Sequence, residues 1–568
     1  MKNCTKTVCA ILAILVLVSV AACSNNSNPI QSDGGNNASS SVPDGPGTDA
    51  KTPLMEQSLP LTTDPNAELS VFIAFYDANV DDLNDCENIK YLQEVTGVKI
   101  NWVTVSDNDS SQRWQLLPVS NNLPDIIYTI NGVMHDIDTA IDDGWLLDMS
   151  EYIRLYMPNY RLYLDTHDRV RETMTSIDGN IKMAATFLGN DEGPLMEWQT
   201  IGLCIREDLI KQAGYTGQLE TVSDYYEMLT KVKEHFPGMT SPLYTNFSYI
   251  WAGSFMQPYN AYPALYTENG AVKYGPAEPG YGAWLDEMRK WYSEGLIEPN
   301  FDSVGVIDGL QAPATIISSD MTVLFSGAFS RTGTVMPVAY GLTQNRNIRI
   351  TPVKSPVMNR GDTPLIYWAE PQDYSVLGSI HLSADCKNPE LAAKWLDFVQ
   401  TEQGMRILYY GKEGVHYTID DSPDAAFRYI YTEAYDTLEE RRGKIGSPSV
   451  GWYNWASGYQ MVRTDIENTI AATGIQTDDS YETVMAAVHL WSDQEAGNFL
   501  KEIKYTTEQQ RLVEIIATDI TTYAEEYMVK YIKGMTDQSF DDYLSVLYDS
   551  LQLGKFLEIA QQAYELYG

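Results

Sequence analysis

Past residue 65 the chain alternates between short apolar runs and stretches with helical spacing. Glu68–Phe75 (ELSVFIAF) reads as a buried strand, Cys86–Glu94 as a helix ended by Gly97, and Val98–Val105 (VKINWVTV) alternates as a second strand. Leu123–Tyr128 (LPDIIY) is a Pro-led apolar strand. Strand, helix and strand in succession predict right-handed crossovers and a mostly parallel sheet. Such sheets hold ligands beyond the carboxyl ends of their strands. The loops Tyr76–Asp82 and Asn131–His135 are therefore candidate ligand loops.

The pattern continues. Trp145–Tyr156 and the stretch from Tyr160 onward read as helices, with Pro158 and Asn159 between them. Ser176–Ile181 (SIDGNI) is a turn before another strand, and Gly202–Asp208 (GLCIRED) is a strand that runs into a helix near Leu209. Tyr281–Glu294 places Trp284, Leu285, Met288, Trp291 and Tyr292 at three- and four-residue steps, one apolar face of a helix. Asn388-Pro389-Glu390 predicts a helix start, with Asn as N-cap and Pro in the first turn, and Leu391, Trp395 and Val399 in line behind it. The last stretch, about 507–566, is helical by pattern almost throughout.

Composition narrows the function. The chain has 568 residues, 44% of them hydrophobic, which suffices for large cores and more than one domain. With 38 basic and 77 acidic residues the net charge is −39, a surface that nucleic acid repels. Cys86, Cys204 and Cys386 lie far apart in sequence without metal-ligand spacing, which leaves at most one bridge open. The six histidines form no H-E-x-x-H pattern, and no P-loop, G-x-S-x-G or G-x-G-x-x-G helix opening is present. No cofactor, metal or catalytic residue is expected.

The N-terminus speaks of location. Lys2 and Lys6 precede a charge-free stretch, Val8–Ala22, whose 15 residues fall short of the roughly 20 needed to cross a bilayer. This is a secretory signal over residues 1–22. Val20-Ala21-Ala22-Cys23 resembles the bacterial lipobox, in which the cysteine becomes the first mature residue and receives a diacylglycerol. An ordinary cleavage after Ala22 with Cys23 incidental is the alternative. Residues 23–64, rich in Asn, Ser, Gly, Asp and Pro, bury too little to repay ordering and read as a tether.

Along the mature chain a series of short motifs resembles one family. Gln93-Glu94-Val95-Thr96-Gly97-Val98 is similar to its "E-x-T-G-I/V" helix end, and Leu123-Pro124-Asp125-Ile126 to its "L-P-D-I" strand. Met157-Pro158-Asn159 and Asp178-Gly179-Asn180 resemble "x-P-N" and "D-G-K", with Asn180 in place of the usual Lys. Ile205-Arg206-Glu207-Asp208 and Glu294-Gly295-Leu296-Ile297 resemble "I-R-K-D" and "E-G-L-I". Tyr410–Tyr417 and Phe556–Tyr564 resemble the closing "Y-G-x-E-G-x-H-Y" and "L-E-I-x-Q-x-A-Y". Their shared order identifies the chain as similar to the extracellular solute-binding lipoproteins of bacterial ABC importers, in the branch linked to oligosaccharide uptake.

The resemblance implies an α/β fold of two lobes, periplasmic-binding-protein-like (type II). Parallel-rich sheets are flanked by helices, a hinge of crossing segments joins the lobes, and the C-terminal region is helical. The first lobe is expected from residues 65–185 and about 340–400, the second from 186–339 and about 401–568. It further implies a monomer that binds without covalent chemistry, is held on the outer face of the cell membrane through Cys23, and hands its solute to permease subunits.

A sugar offers C–H faces and hydroxyl edges, so its site needs flat apolar platforms beside polar groups. Three clusters have that mix: Tyr249–Asn260 with Trp251 and Tyr259, Tyr367–Tyr374 with Trp368 and Asp373, and Gly451–Trp455 with Trp452 and Trp455. Aromatic packing in a core is the competing reading for each ring. Asp77 and Asn79 after the first strand, and Asn131 in the later loop, are candidate hydroxyl partners, although Asp and Asn also build turns. Arg331 fits a carboxylate, as a uronic acid would present, or an ordinary surface ion pair. His416 reads as structural. The rivals are a carrier of peptide or another solute on the same fold, a secreted glycoside hydrolase, and a sensor or adhesin that displays its ligand to another surface protein.

Overall fold

A computed structural model describes residues 57–74, 80, 82–105, 113, 116–119, 122–128, 137–189, 201–245, 253–304, 314–328, 347–363, 374–420, 429–432, 490 and 503–567. Two sheets, each with its own core, organise this chain.

The first sheet has the order β2-β1-β3-β11-β4, with β1 Glu68–Ala74, β2 Lys99–Val105, β3 Ile126–Tyr128, β4 Ala184–Gly189 and β11 Tyr374–Leu382. Leu69, Val71, Phe72 and Ile73 of β1 are all buried, as expected of a strand covered on both faces. β1 pairs in parallel with β2 and β3, as predicted. β11 then lies antiparallel between β3 and β4, so the sheet is mixed. Asp125 of the L-P-D-I motif explains part of this assembly. One of its carboxylate oxygens accepts from the backbone N–H (2.7 Å) and hydroxyl (2.6 Å) of Ser70 in β1. The other accepts from the N–H of Lys387, just past β11, at 3.2 Å.

The helix Glu87–Thr96 ends at Gly97, whose φ of 72° is left-handed. A Cβ there would also stand 2.9 Å from the Thr62 carbonyl, so the position is closed to side chains. Helix Pro389–Val399 starts as read from sequence: Asn388 accepts from Leu391 N–H, Pro389 opens the first turn, and Leu391, Trp395 and Val399 are buried. One expectation fails. Helix begins only at Ser150 and runs to Tyr156, because Trp145–Met149 joins the end of β11 instead. Leu147 donates to the Leu382 carbonyl and Leu146 bridges Ser383.

The second sheet has the order β10-β5-β9-β6, with β5 Ile201–Arg206, β6 Leu243–Tyr244, β9 Leu324–Ala328 and β10 Ile350–Val353. Its strands are short, and helices supply most of its core. Helix Pro279–Ser293 buries Trp284, Leu285, Met288 and Trp291, the face read from the sequence. Helices Val222–His235 and Thr507–Ile532 each open with a full capping box, Thr221 with Asp224 and Thr506 with Gln509. The C-terminal run is helical as expected but broken. Helix Phe540–Ser545, a π turn at Val546–Ser550 and helix Leu553–Tyr567 follow the long helix. A small hairpin of β7 Leu265–Glu268 and β8 Ala271–Tyr274 packs beside them.

The chain changes lobe later than expected. β10 is hydrogen-bonded into the second sheet although the return to the first lobe was expected from about 340. Helix Glu402–Tyr410 and β12 (Tyr417–Ile419) contribute Ile407, Leu408, Tyr410 and Tyr417 to the first core, although 401 onward was expected in the second. Pairing and burial decide this, and neither is a local property of the sequence.

Candidate functional site

Strand direction defines an edge on each sheet. β1, β2 and β3 run together, and β4, antiparallel to β11, runs with them. The carboxyl ends Ala74, Val105, Tyr128 and Gly189 thus lie on one side of the sheet, together with Tyr374 at the start of β11, which pairs with Gly189. In the second sheet β6 and β9 are parallel, and β5 runs against β9 with Ile201 opposite Ala328. β10 is antiparallel to β5, so the ends of β6, β9 and β10 and the start of β5 share one edge. The chain leaves the first sheet at the end of β4 and enters the second at the start of β5. It returns from the end of β10 to the start of β11. Both passages join the same two edges.

In sequence, several of the candidates adjoin strand ends at those edges. Asp77 and Asn79 follow β1, Asn131 follows β3, Trp251 follows β6, Arg331 follows β9, and Trp368 and Asp373 precede β11. These residues, with Trp452, Trp455 and Cys23, lie outside the described residues. Tyr259 is described. It closes a 3-10 turn, Gln257–Tyr259, and its half-buried ring packs against the second core. Burial, with the Glu287 carboxylate near, pushes its phenol pKa up. Its carbonyl touches Gly280, where a Cβ would stand 2.0 Å away.

Two residues apart from Tyr259 sits a group the sequence reading did not single out. Gln257 is 2% exposed, and neither its amide oxygen nor its nitrogen meets a hydrogen-bond partner among the described residues. Only its place inside the Tyr249–Asn260 cluster could have drawn notice.

The motif residues carry structure. The guanidinium of Arg206, fully buried, forks onto Asp208 (2.8 and 2.7 Å) and reaches Asp320 (2.7 Å). Where Asn180 replaces the usual Lys, Lys182 instead pairs with Asp178 at 2.7 Å and with Asp138. His416 is structural as read: its Nδ1 accepts from Lys412 N–H at 2.9 Å and its Nε2 lies 2.8 Å from the Glu87 carboxylate. Gln561 grips the β7–β8 hairpin, accepting from Val272 N–H at 2.7 Å and donating to the Gly270 carbonyl at 3.1 Å.

Other chemistry is sparse. Cys86, Cys204 and Cys386 are separate buried thiols, which closes the question of a bridge between them. Among the described residues no three His, Cys, Asp or Glu side chains are placed to hold a metal. No helix among them is long and apolar enough to cross a membrane.

Comparison with known proteins gives the arrangement a context. The family profile described as bacterial extracellular solute-binding protein matches residues 71–406. No curated protein matches the chain by sequence. Among solved structures it is similar to an HMO-binding, ABC-transporter-associated solute-binding protein from Bifidobacterium longum infantis, at 16% identity and a TM-score of 0.67, with 88% of this chain and 99% of that one covered. The alginate-binding protein AlgQ2 is similar at 18% identity and a TM-score of 0.65 over 89% and 99% of the two chains. The substrate-binding protein FusA of Streptococcus pneumoniae, solved with kestose, is similar at 17% and 0.65 over 88% and 99%. These likenesses establish the two-lobed fold. With two sheets whose loop-bearing edges are joined by the same crossings, and a profile match over more than half its length, the chain belongs to the family of bacterial extracellular solute-binding proteins.

Proposed function

We propose that this protein is the membrane-anchored, extracellular binding component of an ABC importer, and that it captures an oligosaccharide between its lobes and delivers it unchanged to the permease. The observation that carries the reading is the pairing of the family match with the shared edge geometry, which brings strand ends from both lobes to the two crossings. The ligands named for the similar structures, alginate, HMO and kestose, support a carbohydrate. Asp77, Asn79, Asn131, Trp251, Tyr259, Arg331, Trp368, Asp373, Trp452 and Trp455 are the proposed solute contacts, rings for sugar faces and polar groups for hydroxyls. Contacts to both lobes are complete only when the lobes close, so the solute stabilises closure by that difference in affinity. The closed form is what the permease reads.

Residues 1–22 are the proposed signal and 23–64 the tether, with Cys23 carrying the lipid. Two acyl chains hold a protein on a bilayer far more firmly than one.

A thermal-shift screen of the mature protein against oligosaccharides and peptides tests the solute, since a bound ligand raises stability by mass action. A stabilising sugar recovered intact after incubation is the expected result. Sugar cleavage would replace the carrier with a hydrolase, and stabilisation by peptides alone would replace the sugar. Mass spectrometry of the N-terminal peptide tests the anchor: a diacylglyceryl cysteine is expected at Cys23, and a Cys23→Ser protein is expected in the medium.

A further inference from the structure

One lysine joins the lobes outside the two sheet crossings. Residues 503–506 belong to no helix or strand, and only Thr506 at their end has extended backbone. Ile503 is buried with Val272, Ala560 and Ala563 of the second lobe, and Tyr505 packs against the same lobe. Lys504, between them, points the other way. Its ammonium donates to the Thr175 carbonyl at 2.6 Å and to the Glu172 carbonyl. Both acceptors belong to the last turn and C-cap of helix Asp168–Met174 in the first lobe. A helix end leaves carbonyls without partners and carries partial negative charge, so a cation there satisfies both needs.

The position of this bond matters as much as its chemistry. Helix Asp168–Met174 packs against β11, the strand by which the chain re-enters the first lobe. On the other side, Lys504 lies in a segment packed on the second lobe, C-terminal in sequence to the first-lobe hairpin β12–β13, β13 being Tyr429–Tyr431. Two residues on, Thr506 caps helix Thr507–Ile532 and fixes the end of the segment. The ammonium is thus presented by a segment whose two flanking residues pack on the second lobe, and it meets a helix that packs on a crossing strand. A contact near a rotation axis survives rotation, whereas a contact at the rim breaks.

We propose that Lys504 is a hinge pin: a second-lobe cation seated in the carboxyl end of a first-lobe helix, which restricts the lobes to a rotation about that point. The inference rests on the two-lobed fold and needs no particular solute.

The test compares wild type with Lys504→Met, which keeps the stem and removes the donors, and with Lys504→Arg, which keeps a cation. Hydrogen exchange and small-angle X-ray scattering are recorded on the solute-free protein. In Lys504→Met the amides of residues 171–175 are expected to exchange about tenfold faster, and the pair-distance distribution is expected to broaden. Lys504→Arg is expected to restore both. If Lys504→Met exchanges faster at 171–175 with unchanged scattering, the lysine is a local cap and the pin is wrong. If neither readout moves, the contact carries nothing. Should Lys504→Met fail to fold, Lys504→Gln, which retains one donor group, gives the same two readouts. None of these outcomes bears on which solute binds.

Discussion

The two lobes bury their interiors in different ways. The first is built on a five-stranded sheet, and its core is largely aliphatic: Val71, Ile73, Ile89, Leu92, Ile100, Ile126 and Ile127 all lie on or against β1–β3. The second has a four-stranded sheet, one strand of which is only Leu243–Tyr244, and a core richer in aromatic rings, most of them carried by helices. Tyr543 stacks on Tyr527 at 4.2 Å between ring centroids and on Tyr523 at 5.5 Å. Phe255 meets Tyr225 and Trp291 edge-on. Broad rings fill the gaps between helices that a short sheet cannot fill, at 150–250 Å² of burial each by general experience (roughly). The difference also limits what aromatic content says about ligands. Many rings of this chain are accounted for by the second core, so aromatic content alone does not mark a solute platform.

Unequal cores are expected to unfold unequally, and the predictions exploit that. Trp291→Ala removes a fully buried ring from the second lobe whose indole N–H also bonds Glu287 at 2.6 Å. A loss of about 4 kcal/mol is expected, confined to the second of two calorimetric transitions; an equal fall in both would mean the lobes unfold as one. Asp397→Ala strikes the first lobe. This buried carboxylate accepts from the N–H groups of Asn159 and Tyr160, each at 2.9 Å, from the Asn159 amide at 2.8 Å and from Gln57 at 2.5 Å. Burial pushes its pKa up, and those bonds pull against that. Stranding the donors at the start of helix Pro158–Thr166 is expected to cost about 3 kcal/mol, read as a fall in the first transition.

Acid separates the lobes next. His381, next to last in β11, is fully buried, with Nε2 2.8 Å from the Ser379 hydroxyl, and burial drives its pKa from 6.5 down to about 3. The fold favours the neutral ring, so this contribution is intact above pH 6.5 and is lost as the pH falls toward 3. The first transition is expected to weaken by about 2 kcal/mol near pH 5, and His381→Gln is expected to flatten that slope. An unchanged slope in the variant would clear the histidine.

Two smaller effects sharpen the second lobe. Gln257→Leu replaces an amide that meets no partner among the described residues and is expected to raise the second transition by about 1–2 kcal/mol; a fall would mean the amide is satisfied in solution. Thr506→Ala removes the capping box of helix Thr507–Ile532, at an expected cost of about 1 kcal/mol. Denaturant titration of the second lobe checks both.

Much of the fold was legible because the signals were local. Gly97 ends its helix since it lies at positive φ, Asn388 caps since its side chain reaches Leu391 N–H, and Trp284 through Trp291 face inward at helical steps. The failures were non-local. Trp145–Met149 has apolar residues at helical spacing, yet it pairs with the end of β11, more than 200 residues away in sequence. For the candidate site, the sequence supplied the loops to inspect, while the packing of Tyr259 against the second core depends on residues distant in sequence.

The sequence by itself determined many of the helices and the first strands, that the N-terminal segment has the pattern of a secretory signal, and which family the chain resembles. Those properties follow from side-chain period, capping and composition, which act over a few residues. Only the tertiary structure decided that β11 inserts antiparallel between β3 and β4, that β10 serves the second sheet, and that Lys504 reaches the end of a first-lobe helix. Hydrogen-bond partners in a sheet, and charges that meet across lobes, are chosen by the packing of distant segments, and no local period encodes them.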